Sequence, residues 1–183
     1  MPKISVLREN IVDEYEIVTI LKACKDDRKL LFAVAIAWET GARIGEILQL
    51  RLKDFSEENN MWLVSVPTEK QRHKIHGQAP KRNLKIEKDG IYNKIIKPFL
   101  SIQTDAVKPL LMPYSRFTLS HKLKRRYPNI YFHWFRNSRA TLWSRKMSIF
   151  VLQYAMGWQD IRMANIYVHQ EVMANRMAEE LAK

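Results

Sequence analysis

Apolar residues recur at helical spacing through nearly all of the chain, and the pattern is broken by Met61-Trp-Leu-Val-Ser-Val-Pro67, where β-branched and aromatic residues crowd together. That stretch reads as a strand, and Asn83-Leu-Lys-Ile-Glu87 alternates as its partner. Between them runs a loop dense in cations, Thr68 to Pro80, so a small antiparallel hairpin carries a basic tip. Helices are expected over Glu14 to Ala23 and over Asp27 to Glu39, the second ending near Gly41. A short one follows over Arg43 to Leu50, with Ile44, Ile47 and Leu48 on its apolar face, and then a polar turn over Asp54 to Asn60. Helical spacing resumes from Asp89, with breaks around Pro98 and from Lys108 to Pro113, and a helix over Tyr114 to Arg126 ends in a basic run. After a turn at Pro128-Asn129, helices are expected over Trp134 to Lys146, Ser148 to Met156, Asp160 to Val168 and Gln170 to Ala182. The fold class is mainly α with one small antiparallel hairpin, an α+β arrangement.

No repeat, low-complexity tract or Gly/Ser linker divides the sequence, and 183 residues at 46% apolar composition suit one domain with a real core. The longest apolar run, Leu30 to Trp38, is far below the roughly 18 residues needed to span a bilayer, and the charged N-terminal stretch lacks the features of a secretory leader. A cytoplasmic protein without a membrane partner is expected. Cys24 is the one cysteine, which excludes an internal disulfide and reads as a buried thiol. With 31 Lys and Arg against 19 Asp and Glu, the formal charge of +12 points to a polyanionic partner, the alternative being a basic but unengaged surface.

Several residues could carry chemistry. Arg43 and Glu46 lie one turn apart, a spacing that also suits an exposed helical ion pair. His133 and Arg136, in His-Trp-Phe-Arg, share a helix face on which imidazole and guanidinium could both donate to a phosphate, although a core-edge histidine beside a solvated arginine has the same spacing. Met156-Gly-Trp-Gln-Asp160 ends a helix with an indole donor at Trp158, and Tyr167 stands in Asn-Ile-Tyr-Val-His, where a tyrosine is more often core.

Taken in order, Thr-Gly-Ala-Arg-Ile-Gly-Glu-Ile-Leu-Gln-Leu, a hairpin lysine, His-Trp-Phe-Arg, Met-Gly-Trp and Asn-Ile-Tyr-Val-His resemble the tyrosine recombinase, or phage integrase, family from about Val6 to the C-terminus. The resemblance implies the family's catalytic-domain fold and a site-specific recombinase that cleaves and rejoins double-stranded DNA through a 3′-phosphotyrosyl intermediate, without metal, ATP or other cofactor. It implies Tyr167 as nucleophile, Arg43, His133, Arg136 and Trp158 around the phosphate, and Lys70 as general acid. Lys74 and Lys81 share the hairpin region and compete with Lys70, which lies nearest the strand end. Trp158 falls where many members have histidine, so its indole N–H would replace an imidazole. Glu46 would support Arg43 from behind, and the last helix would dock into a neighbouring protomer of a DNA-bound dimer or tetramer.

The family's N-terminal DNA-gripping domain has no room in this sequence, which would make residues 1–183 a single catalytic domain. Among rival tyrosines, Tyr131 and Tyr154 read as core, Tyr127 precedes a proline turn, and Tyr114 opens a helix; His169 would cap the next helix or touch DNA. Competing readings are a type IB topoisomerase-like strand transferase, a non-catalytic DNA-binding module of the same fold, and a metal-dependent nuclease.

Overall fold

Two aspartates start the first two helices of the computed structural model, which describes residues 11–58, 61–68, 80–88 and 90–168. The Asp13 carboxylate accepts the Tyr15 and Glu16 N–H groups to open α1 (Glu14–Ala23), and Asp27 accepts that of Leu30 to open α2 (Arg28–Thr40). Every α2 residue from Phe32 to Thr40 is buried, which explains its nearly unbroken apolar sequence and makes it the central helix. Arg43 is the N-cap of the short α3 (Ile44–Leu48).

Three antiparallel strands follow in the order β1 (Phe55–Glu58), β2 (Met61–Pro67), β3 (Lys81–Ile86), with Phe55 opposite Val64 and Val64 opposite Leu84. A π-helical segment, Tyr92–Ile96, runs into α4 (Lys97–Ser101). Then come α5 (Arg116–Arg126), α6 (Phe132–Ser144), α7 (Ile149–Met156) and α8 (residues 161–168).

The main core packs α2 against α6 and against the inner face of the sheet, Val64, Val66, Leu84 and Ile86, with Phe99 of α4 stacked on Phe32 at 4.2 Å. Cys24 lies in this core, where burial pushes its thiol up to about 11. A second, smaller cluster joins Ala140 of α6, Leu152 and Met156 of α7, Trp158, and Ala164 and Tyr167 of α8.

Three sequence expectations are corrected. The polar stretch after Asp54 forms the edge strand β1 rather than a turn, because Ser56, Glu57 and Glu58 remain exposed while pairing with β2. Pro98 does not break a helix: it sits in the first turn of α4, where a missing N–H is harmless. Tyr131 and Tyr154 are not core but about half exposed, at 53% and 54%. Tyr131 precedes α6 in extended backbone with its ring against Trp134, and the Tyr154 hydroxyl accepts the Asn83 N–H at the sheet, a polar task for a residue in an apolar sequence. The basic hairpin tip, with Lys70 and Lys74, lies outside the described residues, as do His169 and the helix expected over Gln170 to Ala182.

Candidate functional site

Arg136 is the geometric centre of the site. It projects from the first half of α6 and is 2% exposed, so its charge needs partners. Nη1 donates to the Gly41 carbonyl at 2.8 Å and Nη2 to that of Met156, so one guanidinium ties the end of α2 to the end of α7. Both helices stop there on left-handed glycines, Gly41 at φ +60° and Gly157 at φ +61°. A Cβ at Gly41 would lie 3.1 Å from the Met156 methyl, and one at Gly157 would lie 3.0 Å from Nη1 of Arg82, so either neighbour would have to give by a few tenths of an ångström on top of the strain that the left-handed backbone imposes. Burial pushes Arg136 down to about 9, with Arg43 and Arg82 adding to the effect and Glu46 and Tyr167 opposing it; the group stays charged at neutral pH.

Glu46, entirely buried, is the carboxylate at the hub. Oε2 accepts the Arg43 backbone N–H at 2.8 Å and Nη2 of Arg82 at 2.8 Å, while Oε1 accepts Nη1 of Arg43 at 3.0 Å. The Arg43–Glu46 pair is thus not the exposed helical pair that its spacing also allowed. Burial raises the carboxyl's pKa, but the Arg82 hydrogen bond and charge, the Arg43 N–H and the Arg136 charge together outweigh it and hold the group below the usual carboxylate range.

Tyr167 is 6% exposed and donates its hydroxyl to Oδ1 of buried Asn137 at 3.0 Å. Its ring stacks on Trp158 with centroids 5.2 Å apart and planes 15° off parallel, and the Arg136 guanidinium lies 5.5 Å from the Trp158 ring. Burial raises the phenol above its ordinary value, and the positive Arg136 pulls against that rise. His133 is exposed on the first turn of α6, one turn before Arg136 and Asn137, where it lines a cavity of about 380 Å³ with Ile44, Phe117 and Tyr131. Arg43, Glu46, Arg136, Trp158 and Tyr167 therefore converge, while His133 joins them through its place one turn before Arg136 on α6, and Lys70 lies outside the described residues.

Two buried polar residues of this cluster escaped sequence reasoning. Arg82 is 2% exposed; Nε donates to the Ala155 carbonyl at 2.9 Å and Nη1 to the Thr68 hydroxyl at 3.2 Å. Its signal was present, since Arg82 is in phase with the inward Leu84 and Ile86, one residue before the expected start of that strand. Asn137 carries no such signal beyond its place next to Arg136.

With a helical domain, a small sheet and a buried arginine beside a tyrosine in place, comparison with known proteins supplies the family. The chain belongs to the phage integrase family, whose model matches residues 10–173. It is 28% identical over 174 residues to the tyrosine recombinase XerA of Saccharolobus solfataricus, covering 92% of this chain and 55% of that protein. Its fold is similar to that of the XerH site-specific recombinase bound to palindromic difH substrate in a post-cleavage complex, with TM-score 0.69 at 18% identity over 92% of this chain and 52% of the other. The XerA recombinase crystal structure gives TM-score 0.65 at 19% identity over 94% and 65%. The chain spans about half the length of the curated relatives it matches.

Proposed function

We propose that this chain cleaves and rejoins double-stranded DNA site-specifically, with Tyr167 as the nucleophile. The observation that carries the reading is the convergence of Arg43, Arg136, Trp158 and Tyr167 on one small charged cluster within this family's fold. In the proposed step the Tyr167 oxygen attacks phosphorus, a new P–O bond forms to the tyrosine, and the P–O5′ bond breaks. Negative charge grows on the non-bridging oxygens, where Arg43 and Arg136 neutralise it and Trp158 and His133 donate hydrogen bonds. Glu46 orients Arg43.

The phenolic proton must leave during attack. Asn137 can orient that proton but, as an amide oxygen, cannot take it, so His133, on the same face of α6, acts as its acceptor. The leaving 5′-oxygen takes a proton from Lys70. The phosphotyrosyl ester conserves the bond energy, so a 5′-hydroxyl from another strand reseals the DNA without ATP, and a dimer or tetramer on DNA would bring two strands together. The formal +12 supplies the attraction to the DNA backbone. No helix among the described residues is long and apolar enough to cross a membrane.

Strand transfer tests the proposal. Duplex sites selected from a random-sequence pool, incubated with the protein, a chelator and a labelled acceptor ending in a 5′-hydroxyl, should give a labelled joint strand. Relaxation of supercoils with no transfer to the acceptor would point to a topoisomerase-like activity, and retention of DNA without cleavage to a binding module.

A further inference from the structure

We propose that Arg82 is a positioning residue for the cleavage step, fixing the Arg43 guanidinium through Glu46; this rests on the reading of the site as a DNA-cleaving centre. Arg82 is one of the largest fully buried side chains in the molecule, and it comes from the sheet, whereas Arg43 and Arg136 come from the helical side. Placing a third cation beside two others is unfavourable unless the arrangement needs it. What it does is visible in its bonds. Nη2 holds Oε2 of Glu46 at 2.8 Å, and the other carboxylate oxygen, Oε1, holds the Arg43 guanidinium at 3.0 Å. With Oε2 taken by Arg82 and by the Arg43 N–H, the carboxylate cannot rotate, and Arg43 is left with one bearing.

The remaining donors of Arg82 anchor it elsewhere in the fold. Nε holds the Ala155 carbonyl in the last turn of α7, just before Gly157 and Trp158, and Nη1 holds Thr68 at the end of β2. Five donors in a rigid plane can do this together; a lysine ammonium cannot. Arg82 therefore sets Arg43 relative to the segment that carries Trp158, a function distinct from contacting the phosphate.

The test is a double-mutant cycle on the rate of covalent adduct formation with nicked DNA, using Arg82→Lys, Arg43→Ala and the pair in the full chain, with DNA affinity and thermal unfolding measured alongside. If Arg82 acts through Arg43, Arg82→Lys slows the wild type by about 100-fold, the scale of a misplacement of about 1 Å, with little change in DNA affinity. In the Arg43→Ala background the same change should cost less than about threefold. Equal penalties in both backgrounds would overturn the proposal and leave Arg82 as scaffold, as would an Arg82→Lys enzyme at the wild-type rate. Should Arg82→Lys fail to fold, Arg82→Gln, which leaves Glu46 and its bonds to Arg43 in place, enters the cycle instead, with the same two outcomes. A wild type that forms adduct while Tyr167→Phe does not, together with an additive cycle, sinks this inference alone; a wild type that forms no adduct sinks the cleavage reading and this inference with it.

Discussion

Arg136 and Tyr167 are both buried, yet the molecule holds them in different ways. Arg136 is fixed by two main-chain carbonyls at the ends of α2 and α7, beside the Glu46 hub. Tyr167 belongs to the smaller cluster, is placed by a side-chain hydrogen bond to Asn137, and lies flat on Trp158. Groups that stabilise a transition-state charge are most effective when they are already in place, because any reorganisation then adds to the barrier. A nucleophile has the opposite need: it must approach phosphorus, transfer its proton and later release the strand. Arg136 is thus tied to main chain at two helix ends, and Tyr167, the proposed nucleophile, to side chains.

The largest effect expected, short of losing the nucleophile, is in Arg136→Lys. A lysine cannot reach both Gly41 and Met156 carbonyls, so adduct formation should fall by about 1,000-fold and stability by about 3 kcal/mol, read by single-turnover kinetics and urea unfolding. A lysine variant of normal rate would mean that the double anchoring of Arg136 is not needed for cleavage. Trp158→Phe keeps the stack on Tyr167 but removes the indole N–H; a rate about 100-fold lower with nearly unchanged DNA binding would assign that donor to the phosphate. Asn137→Ala should cost about 1 kcal/mol of stability and slow the adduct by no more than about tenfold, because it loosens a tyrosine that must move in any case. A loss as large as that of Arg136→Lys would mean that the nucleophile is as rigidly placed as the cations.

A smaller effect, on the pH dependence of stability, comes from the titration of Glu46. Its folded-state pKa lies below its unfolded value, so its contribution is present above about 4.5 and is lost as the pH falls through the folded value. Urea unfolding from neutral pH to below 4 should show this acid loss, and Glu46→Gln should flatten it while lowering stability at neutral pH. An unchanged acid slope in the variant would mean that other carboxylates carry the dependence.

Much of this was legible from the sequence because periodicity follows burial. The central α2, the strands β2 and β3, and the helix-ending Gly41 and Gly157 all follow from apolar spacing and from the demand for a left-handed backbone at two stops. The edge strand β1 was not legible, since an exposed strand paired along one side needs no apolar alternation. Nor was the exposure of Tyr131 and Tyr154, which depends on which way α6 and α7 face rather than on the apolar residues beside them in the chain. Arg43, Glu46, Arg136, Trp158 and Tyr167 were singled out in order along the chain, but the partner that holds Glu46 from the sheet side, Arg82, was not, since a cation count assigns it to the surface and only its strand phase places it inside.

In the proposed mechanism Tyr167 forms the covalent bond to DNA. A nicked suicide duplex, incubated with chelator and resolved on a denaturing gel, should give a covalent protein–DNA band with the wild type and none with Tyr167→Phe, which should still fold and bind DNA. An adduct of equal yield from Tyr167→Phe would contradict the claim and move the nucleophile to another residue.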